Sequence, residues 1–164
     1  AEVGLNFPDY RSAERTFQLL TQVAGRAGRS ALGGRVVLQT FQAEHYAILH
    51  AAAHDFKGFY KEEVEKRRAL RYPPFVHMVR FEARALQNEE AQKTAQAVYQ
   101  KLNRLVKASQ DRSLELLPPL PPYFARRGGY YRWQVLLKGS NPLKWIKDED
   151  FSDVRVEVDP PSLL

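Results

Sequence analysis

The pair Pro73-Pro74, preceded by Tyr72, is the feature that most constrains how this 164-residue chain can fold. Proline disfavours helical backbone in the residue before it, so the charged helix predicted over about 56–71 ends here. Upstream, apolar residues recur at helical spacing, whereas immediately downstream they alternate as they do in a strand. We therefore predict a domain boundary at this point, with one domain over residues 1–72 and a second over 73–164.

The second domain is predicted to be a small α/β sandwich. Its expected elements are a strand over 75–86, a long amphipathic helix over 88–109 that begins at an Asn88 cap, a short strand and a proline-rich turn after residue 114, a longer strand from about Tyr130, a short helix over 142–147 and a strand over 154–159. This β-α-β-β-α-β order suits a sheet that carries its helices on one face.

The first domain is predicted to open with a helix that begins at Ser12, a favourable N-cap residue, and carries Glu14 in its first turn. An apolar stripe at helical spacing forms the buried face of this helix: Ala13, Phe17, Leu20, Ala24 and Ala27. A glycine pair then leads into RVVLQT, a β-branched segment predicted as a strand over 35–40. A further helix is predicted over about 44–54.

Residues 22–29, QVAGRAGR, interleave two glycines and two arginines at the end of the Ser12 helix. Gln22, Arg26 and Arg29 lie at i, i+4 and i+7, so an uninterrupted helix gathers them on one face. A guanidinium offers a planar set of donors that suits phosphate oxygens, and adjacent glycines allow a nucleotide to come close. The segment is therefore either a phosphate sensor or a solvated basic helix end, which the helix dipole also favours.

The composition favours an anionic partner. The chain carries a formal net charge of +6 and has an isoelectric point of about 9.6, as is typical of proteins that bind nucleic acid. It contains no cysteine, which excludes disulfides and thiolate metal sites. No apolar run approaches the roughly 18 residues that span a bilayer. Because the first residue is not Met, we expect the chain to be the C-terminal piece of a longer protein.

Few residues have the spacing of a metal or acid–base site. His50 and His54 stand at the i, i+4 spacing of a metal-binding pair, but the sequence offers no convincing third ligand, so no metal site is predicted. Glu62-Glu63 and the acidic residues 148–150 are interpreted as solvated charge runs. No nucleophile-and-base arrangement is predicted.

Residues 116–147 contain no acidic residue and six cations. Cations bind phosphates, and aromatic rings beside them stack on unpaired bases. This stretch supplies the rings of Tyr123, Phe124, Tyr130 and Tyr131. The alternative is a solvated strand whose aromatic residues serve the core, and by period 2 Trp133 is expected to do so. The predicted DNA-binding residues are Arg126, Arg127, Tyr130, Tyr131, Arg132 and Lys138.

Several segments together resemble one helicase family. QVAGRAGR matches the QxxGRxGR pattern of motif VI in superfamily 2 helicases, and residues 4–29 as a whole resemble the primosomal replication protein N′ (PriA) family. The resemblance continues, in order, through VVLQT, AEHYAIL, RRALRYPPF, RRGGYYRWQVLLK and the closing VDP. It covers nearly the whole chain, and the ordered set is more specific than the motif VI octet alone.

The resemblance implies an ATP-driven 3′ to 5′ DNA helicase that recognises abandoned replication forks and reloads the replication machinery. Residues 1 to about 72 would be the distal part of the second RecA-like lobe, with motifs V and VI. The remainder would be a C-terminal DNA-binding domain that resembles a ribosomal protein. The implied partners are fork DNA, single-stranded DNA, single-stranded DNA-binding protein and primosome loading proteins. The implied location is the bacterial cytoplasm, at the nucleoid.

The same resemblance assigns roles to individual residues. Arg29 would be the arginine finger and Arg26 a second γ-phosphate contact, and such a finger is worth about 10³ to 10⁵ in rate. The other implied nucleotide-binding residues are Gln22, Gly25, Gly28 and Gly4. The implied cofactors are ATP and Mg²⁺, and the family carries a zinc module upstream.

The chain also departs from the family pattern. It lacks the GxxxxGK phosphate loop, the DExH box and the cysteine-rich zinc module, so this chain alone is predicted not to hydrolyse ATP. Two alternatives stay open on the residues. One is a fragment of another superfamily 2 translocase, and the other is a stand-alone nucleic-acid-binding domain.

Overall fold

The computed structural model of the protein describes residues 2–27 and 35–164. The chain divides into two compact units, Ala1–Ala69 and Leu70–Leu164. None of the described helices is long and apolar enough to cross a membrane.

The regular secondary structure described in the first unit consists of helices. Its helices are α1 (Glu2–Leu5), α2 (Ser12–Ala27), α3 (Tyr46–Ala52) and α4 (Phe56–Ala69). Phe17 of α2 stacks on Phe59 of α4 with ring centroids 4.1 Å apart, and both rings are buried against Ala47 and Ala51 of α3. Of the predicted stripe, Phe17 is therefore buried and Ala13 and Leu20 pack against the same cluster, whereas Ala24 and Ala27 are only half-buried.

Helix α2 begins at Ser12 as predicted, but Ser12 does not cap it. The Ser12 hydroxyl donates to the carbonyl oxygen of Phe7 at 2.7 Å. The Asp9 carboxylate instead accepts the backbone N–H of Arg11 at 2.9 Å, just before the first helical turn. A carboxylate at this end of a helix also suits the positive end of the helix dipole.

The strand predicted over residues 35–40 is not formed. These residues are non-helical and adopt no strand, because the described part of the first unit contains no second strand with which they could pair. The prediction of a β-strand at RVVLQT is therefore wrong. The fold of this unit does not show the RecA-like lobe that the resemblance implies.

The second unit is an antiparallel sheet packed on one long helix, which confirms the predicted α/β class. Its elements are β1 (His77–Ala85), α5 (Asn88–Ser109), β2 (Glu115–Leu116), β3 (Arg126–Arg127), β4 (Tyr130–Gly139), α6 (Leu143–Ile146) and β5 (Arg155–Val158). The strand order is β2-β4-β1-β5, and β3 pairs with β4 as an additional two-residue strand.

The core of the second unit lies between the sheet and α5. Alternate residues of β1 and β4 supply it, including Val79, Phe81, Val135 and Leu137, and α5 contributes Leu102. Trp133 is half-buried and packs against this core, as period 2 predicts. Its indole N–H donates to the Oδ1 atom of Asn88 at 3.0 Å. Asn88 therefore holds Trp133, and the N-cap residue of α5 is Gln87 rather than the predicted Asn88.

The opposite face of the sheet is charged but buried. Arg80, Glu82, Arg132 and Lys138 alternate with the core residues of β1 and β4, and all four are buried. The segment after β5 passes over this face, where the carbonyl oxygen of Ser162 accepts from Arg80 Nη1 at 3.0 Å. Buried charges of this kind require close ionic or hydrogen-bonding partners. A cation that is paired on this face is therefore not exposed to solvent.

Candidate nucleic-acid interface

Strands β3 and β4 form a tight hairpin around Gly128-Gly129. Both glycines have positive φ values, 59° and 86°, in the region that other residues rarely adopt. Two central residues with positive φ are the signature of a type I′ turn, whose twist matches that of the flanking strands. The glycine pair therefore presents Arg126-Arg127 directly opposite Tyr130-Tyr131.

The hairpin carries one arginine–tyrosine pair on each of its two faces. Arg126 is registered with Tyr131 and Arg127 with Tyr130, and neighbouring residues on a strand point to opposite faces. The Arg126 guanidinium lies 5.1 Å from the centroid of the Tyr131 ring, within cation–π range. Arg126, Arg127 and Tyr130 are exposed and Tyr131 is half-buried. The structure thus brings four of the six predicted DNA-binding residues together at one tip.

Arg132 does not belong to this exposed group. It is only 3% exposed, and its Nε atom donates to Glu82 Oε2 at 2.9 Å. Its terminal nitrogens also donate to Glu82 and to the carbonyl oxygens of Phe124 and Leu164. A guanidinium whose donors are committed to buried partners is not available to a phosphate. We therefore withdraw Arg132 from the set of DNA contacts.

Glu82 neutralises Arg132 from inside the sheet. Burial raises the pKa of the Glu82 carboxyl, but hydrogen bonds from Arg132 and Arg84 outweigh this effect and leave the pKa below its ordinary value. The Arg84 Nε atom donates to Glu82 Oε1 at 2.5 Å. Glu82 is therefore ionised at neutral pH and serves as the counter-ion of two arginines.

Lys138 is also removed from the predicted interface. It is buried, its Nζ atom lies 3.6 Å from Glu115 Oε2, and it sits 4.7 Å from the centroid of the Tyr72 ring. Glu115 and Lys138 are registered opposite each other in β2 and β4. Lys138 therefore contributes to the packing of the charged face of the sheet. It is not available as a phosphate contact, contrary to the prediction.

Two further aromatic side chains lie next to the hairpin in the chain. Tyr123 and Phe124 are 56% and 47% exposed, and their rings meet edge to face with centroids 5.0 Å apart. They immediately precede Ala125 and β3, so they stand close to Arg126. Both rings belong to the basic, acid-free stretch that predicts base stacking, but neither is among the six predicted contact residues. The signal that could have included them is their position between a proline-rich turn and two arginines.

The predicted nucleotide-binding residues are only partly described. Gln22, Gly25 and Arg26 lie exposed in the last turns of α2, and a Cβ atom built on Gly25 would meet nothing within 4 Å. Gly28 and the predicted arginine finger, Arg29, lie outside the described residues.

Gly4 is explained by packing within its own unit. A Cβ atom at Gly4 would lie 2.8 Å from the Oγ1 atom of the buried Thr16. Thr16 lies six residues before Gln22 in α2, which is about 9 Å along a helix. The structure therefore does not bring Gly4 together with Gln22 and Arg26.

His50, the first member of the histidine pair, lies beside two carboxylates. His50 Nδ1 lies 3.2 Å from Asp55 Oδ2, and His50 Nε2 lies 3.5 Å from Glu62 Oε2. His54 follows the end of α3 with a φ of 53° and is exposed. Within residues 2–27 and 35–164, no group of three or more His, Asp or Glu side chains could hold a metal ion.

Comparison with known proteins gives a consistent result. The family model of the primosomal protein N C-terminal domain matches residues 68–161. Proteins named replication restart protein PriA match most of the chain. The one from Synechocystis sp. (strain PCC 6803) is 37% identical over 161 residues, which is 94% of this chain and 19% of the relative.

Two further relatives bear the same name. The Bacillus subtilis (strain 168) protein is 38% identical over 138 residues, or 84% of this chain and 18% of the relative. The Treponema pallidum (strain Nichols) protein is 36% identical over 174 aligned positions, or 100% of this chain and 26% of the relative. The chain thus spans about a fifth to a quarter of the length of these relatives.

Proposed function

Because this chain belongs to the family of the primosomal protein N C-terminal domain, we propose that it is the C-terminal part of an ATP-dependent DNA helicase that restarts stalled replication. The relatives named replication restart protein PriA support the restart role. The ordered motifs of the sequence support 3′ to 5′ unwinding, fork recognition and primosome assembly by the whole protein. Proposed partners are single-stranded DNA-binding protein and primosome loading proteins, in the bacterial cytoplasm.

In this proposal, the QVAGRAGR segment senses the nucleotide bound by the rest of the motor. Arg29 acts as arginine finger, Arg26 as a second γ-phosphate contact and Gln22 as a polar neighbour. The exposed positions of Gln22 and Arg26, with open space at Gly25, support an approach by ATP and Mg²⁺. A positively charged finger stabilises the charge that develops on the transferring phosphoryl group.

The second unit contributes DNA contact through the β3–β4 hairpin. The observation that carries this proposal is the pair of exposed arginines, each registered with a tyrosine, around a turn that has no side chain. Arginine donors suit phosphate oxygens, and the glycine tip allows a DNA backbone to lie close. Contacts to phosphate are independent of sequence, as a protein that acts at forks throughout a chromosome requires.

A salt titration of DNA binding tests this role. We compare the 164-residue chain with Arg126→Ala/Arg127→Ala on a branched DNA over a range of salt concentrations. Each lost phosphate contact should flatten the slope of log affinity against log salt by about 0.7 to 0.9, so the double variant should lose about 1.5.

The matched control is Lys93→Ala/Lys107→Ala, which removes the same charge from exposed positions on α5. Its slope should stay within about half a unit of the wild-type slope. Equal flattening by the two double variants would mean that net charge alone drives binding. That result would remove the hairpin from the proposal.

A further inference from the structure

Tyr123 and Phe124 belong to a segment that connects β2 to β3 and runs along the same edge of β4 as these two strands. Leu120 and Gln134 exchange two backbone hydrogen bonds, with N···O distances of 3.0 and 2.9 Å. Five residues later, the carbonyl oxygen of Ala125 accepts the backbone N–H of Arg132 at 2.8 Å. The two exposed rings are therefore carried by a short segment that is fixed to β4 at both ends.

A side chain from inside the sheet also holds this segment. Arg132 Nη1 donates to the carbonyl oxygen of Phe124 at 3.2 Å, while the rest of the guanidinium is held by Glu82. Glu82 is itself almost fully buried, so its position is set by the strands rather than by solvent. The chain of contacts from Glu82 through Arg132 to Phe124 fixes the backbone from which the aromatic pair projects.

We propose that Tyr123 and Phe124 form a stacking site for an unpaired base of single-stranded DNA, and that Arg132, held by Glu82, is its positioning residue. This inference rests on the proposed function and names the form of DNA that the site takes. Base stacking on aromatic rings tolerates any sequence, and the neighbouring Arg126 and Arg127 supply phosphate contacts. Bases in a duplex already stack on one another, so the site distinguishes single strands from duplex.

The first arm of the test measures stacking directly. A single-stranded oligothymidine with one 2-aminopurine, whose fluorescence falls when the base stacks, is titrated with wild type and with Tyr123→Ala/Phe124→Ala. The double variant should bind about tenfold more weakly and lose the quenching, because stacking of one base accounts for a change of this size. Its affinity for a duplex of equal phosphate number should change less than twofold.

The chain offers a matched control for this arm. Phe56 and Tyr60 are a second exposed aromatic pair, 64% and 60% exposed, with ring centroids 6.3 Å apart on α4. Phe56→Ala/Tyr60→Ala should leave the quenching and the affinity unchanged. Equal losses in both double variants, or quenching that survives Tyr123→Ala/Phe124→Ala, would overturn the stacking site.

The second arm tests the positioning role. Arg132→Lys keeps a positive charge beside Glu82 but shortens the reach to Phe124, and Glu82→Asp is a milder second variant if the lysine variant unfolds. Each is compared with wild type at a temperature where the far-ultraviolet circular dichroism spectra agree. Quenching should fall at least threefold while the salt slope stays unchanged, because Arg126 and Arg127 are intact. Wild-type quenching in a folded variant would overturn the positioning role.

The two readouts separate this inference from the proposed function. Loss of the salt slope in Arg126→Ala/Arg127→Ala reports the phosphate contacts, and loss of 2-aminopurine quenching reports the stacking site. A hairpin that fails the salt test while the quenching arm succeeds would contradict only the phosphate role. The reverse pattern would contradict only the stacking site.

Discussion

Glu82 stands diagonally across the β1–β4 pair from Arg132, and two residues along β1 from Arg84, which is registered directly opposite Arg132. Like charges directly opposite each other destabilise a sheet, so the two arginines need a common counter-ion. Glu82 supplies one carboxylate oxygen to each of them, Oε1 to Arg84 and Oε2 to Arg132. This arrangement makes Arg132 part of the fold and leaves Arg126 and Arg127 as the exposed cations of the hairpin.

Glu82→Gln should destabilise the second unit by about 3 kcal/mol, because it leaves Arg132 buried without a counter-ion. Equilibrium denaturation in urea measures the change. The control is Glu149→Gln, which breaks the partly exposed ion pair with Lys101 at 2.9 Å and should cost less than about 1 kcal/mol. Similar losses in the two variants would contradict the importance of the buried contact.

The contribution of Glu82 should depend on pH in a defined direction. Its pKa in the folded protein lies below the ordinary glutamate value that applies in the unfolded chain, because hydrogen bonds from Arg132 and Arg84 outweigh the effect of burial. Its stabilising contribution is therefore fully present above the unfolded value and is lost as the pH falls through the folded value. The difference in unfolding free energy between wild type and Glu82→Gln should be constant from pH 6 to 8 and shrink below about pH 4. A difference that grows on acidification would have the wrong sign.

Two glycines of the first unit should respond oppositely to alanine. Gly25→Ala should stabilise the unit by about 0.5 to 1 kcal/mol, since Gly25 is a helical residue with open space around its Cα atom. Gly4→Ala should destabilise it, because the new methyl group would lie 2.8 Å from Thr16 Oγ1. Thermal melting of the two variants measures both signs. Stabilisation by both substitutions would contradict the close packing at Gly4.

The proposed arginine finger makes a kinetic prediction. In a full-length PriA protein that carries this segment, Arg29→Ala should lower DNA-stimulated ATP turnover about 10³-fold. Affinity for fork DNA should change only a few fold, because the finger acts on the charge of the transition state. Steady-state ATPase assays and DNA-binding titrations on the same preparation measure both quantities. An equal loss of turnover and affinity would argue for a DNA contact instead.

Local pattern was sufficient where one segment determines its own structure. The prediction of a helix over 88–109 agrees with the bounds of α5, because its apolar spacing is regular, although the N-cap residue is Gln87 rather than Asn88. The start of β4 at Tyr130 follows in the same way from the glycine pair before it. Both boundaries depend on neighbours only a few residues away.

The sequence predictions fail where contacts with residues far away in the chain determine burial or strand pairing. Period 2 places Arg132 and Lys138 opposite the core, which by itself predicts exposure. They are buried because partners from β1 and β2, and residues 159–164, cover that face. The RVVLQT segment has high β propensity, but a strand also needs a neighbour to which it can hydrogen-bond.

The position of β1 in the sheet has a consequence for how this unit opens. Its nine residues pair with β4 on one side, and four of them also pair with β5 on the other. Amide protons in such a doubly flanked strand exchange with deuterium only when the sheet separates. Those of β3, which pairs through only two residues, exchange by local fraying. The amide protons in the interior of β1 should therefore exchange more slowly than those of β3. Their exchange rate reports global unfolding of the unit, whereas exchange at the hairpin tip reports local opening.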